Sequence, residues 1–77
     1  MMDLKQELYD LLHKQADADR QKGILSLKLL SELSVGIGDH STEDFYKDAN
    51  EALKMIASAD ERIETLKKLM DSGEVFK

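Results

Sequence analysis

Apolar residues recur through the second half of the chain at Phe45, Ala49, Ala52, Ile56, Ala59, Ile63, Leu66 and Met70, in alternating steps of four and three. This unbroken heptad seam predicts a helix packed lengthwise on another, and these eight residues define the expected interface. Leu53, Met55 and Leu69 flank the seam and widen the apolar face beyond what a two-stranded coil uses. The helix is therefore expected to touch more than one neighbour.

The first half is less regular. At about 100° per residue, Leu4, Leu8, Leu11 and Leu12 share one stripe, and Leu25, Leu29, Leu30 and Leu33 return to it if the helix is continuous. Between the two groups, continuing this stripe places Gln15, Asp19, Lys22 and Ser26 on the side expected to be buried, with Ala18 the one apolar contact. Either a single long helix carries a polar segment on its inner face, or the helix breaks near residues 16–20 and the chain forms three helices. A hairpin folded about residues 38 and 39 pairs positions whose numbers sum to about 77, setting Ala18 opposite Ala59 and Leu11 opposite Leu66. Small residues then meet small ones at a waist, which favours the continuous hairpin. Neither Pro nor Gly falls within residues 13–22, and Gly23 is expected to cost about 1 kcal/mol relative to Ala without ending the helix.

The one cluster of turn residues is Gly36-Ile37-Gly38-Asp39-His40-Ser41. It divides a single domain, residues 1–77, into a helix over about 3–35, a turn at 36–41, a helix over about 42–72 and a short tail at 73–77. Gly36 suits a helix C-terminus, Ser41-Thr42-Glu43-Asp44 resembles a capping box, and Gly73 is placed to stop the second helix. Phe76, one of two phenylalanines, is expected to fold back over the end of the helices rather than lie in water. The predicted fold class is all-α, an antiparallel helical hairpin. Two helices of this size cannot cover their own apolar surface, so the hairpin is expected to assemble as a homo-oligomeric helical bundle, a two-fold dimer being favoured. The rival is a complex with another protein's helix.

Composition narrows the function classes. The 77 residues include 16 Asp/Glu and 11 Lys/Arg, a net charge of −5, with neither Cys nor Pro. Missing cysteine removes disulfides as a source of stability in so short a chain. Most of the negative excess lies in residues 36–51, which hold five acids and one base. Much of it is explained by helix-end stabilisation at the start of the second helix. It leaves a local acidic tip and no basic stripe for phosphate, so no nucleic-acid partner is expected. No apolar run suits a membrane span, and the first residues lack the order of a signal peptide, which points to a soluble, cytoplasmic protein without a membrane partner.

Candidate chemistry is sparse. Asp10 and His13 have an i, i+3 spacing that can present two ligands to a metal, with Glu64 brought near by the hairpin. On the helical wheel, however, His13 points about 165° from the leucine stripe, and it reads as a solvated surface histidine. His40 reads as a turn residue. No Ser or Thr sits in a catalytic setting, and Gly36-Ile37-Gly38 lacks the Lys of a phosphate loop. No enzyme activity, metal or cofactor is expected.

The polar segment has three readings. It is a solvated region with an ordinary Asp19–Lys22 pair. It is a set of buried polar residues that fixes register. Or Gln15, Asp19, Arg20 and Lys22 line a polar pocket between two copies and bind a small charged ligand. The leading functional expectation is a small non-enzymatic helical interaction protein, an inhibitor, co-chaperone or adaptor. The alternative is a small-ligand or nucleotide binding or sequestering protein that uses the pocket.

Overall fold

The computed structural model describes residues 3–33 and 42–76. Two α-helices make up the fold: α1 (Leu4–Leu33) and α2 (Thr42–Ser72), packed on each other, and no strand occurs among the described residues. The predicted turn at 36–41, with His40 and the proposed caps at Gly36 and Ser41, lies outside the described residues.

Local chemistry explains the outer ends of both helices. Asp3 caps α1: its Oδ1 accepts from the backbone N–H groups of Lys5 (3.1 Å) and Gln6 (3.4 Å), and its carbonyl accepts from Glu7 N at 3.0 Å. These are donors that a helix start otherwise leaves without partners. At the far end Gly73 adopts φ 73°, and its N–H donates to the Leu69 carbonyl at 3.1 Å. Only glycine takes that left-handed conformation without a Cβ penalty, so the helix stops where the sequence places Gly73. α1 runs unbroken through residues 16–20.

The seam of α2 faces α1. Ala52, Ala59 and Leu66 are buried, while Phe45, Ala49, Ile56, Ile63 and Met70 are half-buried. α1 answers with a seam of its own at Tyr9, His13, Ala16, Arg20, Gly23, Leu27 and Leu30, again in steps of four and three, of which Ala16 and Gly23 are buried. This corrects the phase expected for α1. Leu4, Leu8, Leu11, Leu12, Leu25 and Leu29 are all exposed, and Leu4 retains 73% of its surface. Of the leucines assigned to that stripe, Leu30 alone is half-buried among those whose burial is described. Ala16, not Ala18, is the small residue buried on the α2 side, and Leu11, expected opposite Leu66, is 65% exposed while Leu66 is buried.

The reason is steric. A Cβ built on Gly23 would stand 2.6 Å from Ile56 Cγ1 and 2.9 Å from the Ala52 carbonyl oxygen, so α1 passes α2 there with no room for a side chain. With Ala52 and Ala59 at the waist of α2, close approach requires an equally small surface on α1. The Ala16 and Gly23 face supplies it; a leucine face would hold the helices apart.

The tail closes the open end of the hairpin. Phe76 is buried, and its ring meets Tyr9 edge-on at 5.3 Å between centroids. Tyr9 also lies 6.0 Å from the His13 ring, so His13 is a half-buried member of this cluster and not the solvated side chain expected. Among the described residues no helix is long and apolar enough to cross a membrane.

Candidate functional site

α1 has two faces. At about 100° per residue, its seam against α2 and its leucine stripe point about 150° apart. The stripe comprises Leu4, Leu8 and Leu11 at one end and Leu25 and Leu29 at the other, spaced by Gln15, Ala18 and Lys22, in the same four-three alternation that builds the inner seam. All eight of these residues are exposed. Scattered apolar side chains on a surface are ordinary, but two leucine clusters aligned on one face of a helix, Leu4, Leu8 and Leu11 at one end and Leu25 and Leu29 at the other, are not.

The hairpin is also under-covered as a whole. Among the described residues no large side chain is fully buried, and the core consists of Ala16, Ala52, Ala59, Leu66 and Phe76. The molecule measures 57 × 22 × 13 Å, with a radius of gyration of 17.2 Å. A compact chain of this length has a radius of about 12 Å. Its accessible surface is 6123 Å², where a compact monomer of the same mass exposes about 4,700 Å².

The four polar residues singled out in the sequence are not gathered at one place. Arg20 Nε donates to Asp60 Oδ1 at 2.8 Å. Asp19 Oδ2 accepts from Arg62 Nη2 at 2.9 Å, while Arg62 Nε donates to the Ser58 carbonyl at 3.3 Å. Asp19 therefore pairs across the hairpin and not with Lys22. Asp19 and Arg20 tie the helices together along the edges of their contact, whereas Gln15 and Lys22 belong to the outer leucine face. Gln15 borders an open groove of about 330 Å³ with Leu12, Glu61, Arg62, Thr65 and Leu66. A second groove, about 390 Å³, runs past Ser26, Leu29, Leu30, Asp48, Glu51, Ala52 and Met55. Both are troughs between two helices and neither collects the four polar side chains.

Gly23, in sequence terms a tolerated weakness in α1, packs against α2 with no room for a side chain. The signal that reveals it is its phase, seven residues from Ala16 and on the side opposite the leucines. Among the described residues no three His, Asp or Glu side chains come together to hold a metal ion. No protein-family model, curated protein or solved structure matches this chain.

Proposed function

We propose that this chain is a small non-enzymatic helical interaction protein whose working surface is the leucine face of α1. The observation that supports this most directly is the pair of exposed leucine clusters, Leu4, Leu8 and Leu11 and then Leu25 and Leu29, on one face of α1 about 150° from its seam with α2. Burying a leucine is worth about 1.5–3 kcal/mol, so five of them left in water are a large source of association free energy. A face of that kind on a hairpin with so small an internal core serves contact with another helix. The separation of Gln15, Asp19, Arg20 and Lys22 favours this contact surface over a ligand pocket.

The test is a chain carrying Leu8→Glu and Leu25→Glu, compared with wild type by sedimentation equilibrium and by helicity over a wide range of protein concentration. The substitutions lie outside the α1–α2 contact. They are expected to abolish self-association, or association with an added partner, and the stability that comes with it. If both properties stay as in wild type, the leucine face is ordinary solvent surface and the proposal fails.

A further inference from the structure

The leucine face is nearly palindromic. We propose that its occupant is a second copy of this chain, bound through an antiparallel α1–α1 contact. Residue numbers that sum to 33 pair like with like across a two-fold axis: Leu4 with Leu29, and Leu8 with Leu25, each occurring twice. Gln15 then meets Ala18, a small and polar centre between two leucine clusters. This inference rests on the reading of the stripe as a contact surface and adds its partner and geometry.

The hairpin itself supplies the rule for the flanking charges. In the α1–α2 seam Gly23 lies against Ile56, a pair summing to 79, and the ion pair Asp19–Arg62 beside that seam sums to 81. Each of the two paired residues directly precedes a seam position of its helix. Transferring the same offset to the outer seam pairs flanking residues that sum to 35, which sets Glu7 of one copy beside Lys28 of the other, twice by symmetry. Both side chains are exposed, and neither forms an ion pair with another described residue in the hairpin. The charges are complementary in this register without rearrangement.

Competing registers do worse. A shift of one heptad in either direction leaves one leucine cluster without a counterpart. A parallel pair buries every leucine but sets Lys22 directly on Lys22 of the other copy. It also brings together the two ends that carry Glu43, Asp44, Asp48 and Glu51. In the antiparallel pair Lys22 packs its methylenes along Leu11 of the second copy and keeps its ammonium in water, and the acidic ends lie far apart. With α2 on the far side of each α1, the product is a flat row of four helices.

The chain has no cysteine, so single cysteines report the geometry cleanly. Leu8→Cys and Leu25→Cys chains are mixed and mildly oxidised, and native mass is measured on wild type. Expected are a mass of twice 8.7 kDa and a disulfide joining Leu8→Cys to Leu25→Cys, while two Leu8→Cys chains, about 25 Å apart at that position, do not cross-link. Glu7→Lys or Lys28→Glu alone should weaken the dimer on the order of tenfold, and the combined exchange should restore it. A dimer that instead joins Leu8→Cys to itself overturns the antiparallel geometry, and the interaction reading survives. A wild-type monomer that becomes helical only with a different protein overturns the second copy and also leaves that reading standing. A stably helical monomer unaffected by Leu8→Glu and Leu25→Glu overturns both.

Discussion

Gly23 packs directly against Ile56: a Cβ on Gly23 would lie 2.6 Å from Ile56 Cγ1. The Ala52 carbonyl oxygen, 2.9 Å away, blocks the same space and cannot rotate aside as a side chain can. Intrinsic helix propensity favours Ala over Gly by about 1 kcal/mol, yet here Gly23→Ala is expected to lose stability. Overpacking costs about 1–3 kcal/mol, which outweighs the gain. Urea denaturation followed by circular dichroism checks this, and a rise in midpoint would mean that α1 packs on a different face.

The phase of α1 has a second test in its alanines. Ala16 is fully buried and Ala18 is exposed on the leucine face. Ala16→Leu is expected to destabilise the hairpin by about 1–3 kcal/mol, since the larger side chain must enter a contact made by small ones. Ala18→Leu should not lower stability at all. Thermal melts of the two variants side by side decide between the observed phase and the one in which Ala18 faces Ala59.

Phe76 contributes a large part of the buried surface at the open end, set edge-on against Tyr9. Phe76→Ala should cost about 3 kcal/mol, the low end for a phenylalanine because its pocket is bounded by a two-helix layer. The near-ultraviolet signal of Tyr9 should weaken with it. Phe76→Leu should recover most of the stability and little of that signal.

The ion pairs Arg20–Asp60 and Asp19–Arg62 are partly exposed, with side-chain exposures between 28% and 55%. Each is expected to contribute less than about 1 kcal/mol, falling as salt is added. Their larger effect is on register. Asp19→Arg should be more damaging than Asp19→Ala, and adding Arg62→Asp should relieve it; a double-mutant cycle in low and high salt measures the coupling.

Most of the α2 reading needed only the sequence. Its acidic and basic residues leave one apolar stripe, and both the burial of Ala52, Ala59 and Leu66 and the stop at Gly73 follow from spacing and local chemistry. The polar set was less legible, because Asp19, Arg20, Gln15 and Lys22 are neighbours in the chain that diverge once the helix turns them to different sides. Asp19 and Arg20 find partners 43 and 40 positions away only when the register is fixed.

The sequence by itself determined an all-α chain, with the continuous hairpin favoured over a break into three helices, and which side of α2 is buried, because that helix offers a single apolar row. It could not determine the inner side of α1, which carries two rows. Apolarity pointed to the leucines, and the tertiary structure chose the row with Ala16 and Gly23. The physical reason is distance: dispersion and burial between two helices grow as their backbones approach, and at a waist built from Ala52 and Ala59 a glycine and an alanine can approach where leucines cannot. That choice leaves the leucines outside, and with them the surface proposed for contact.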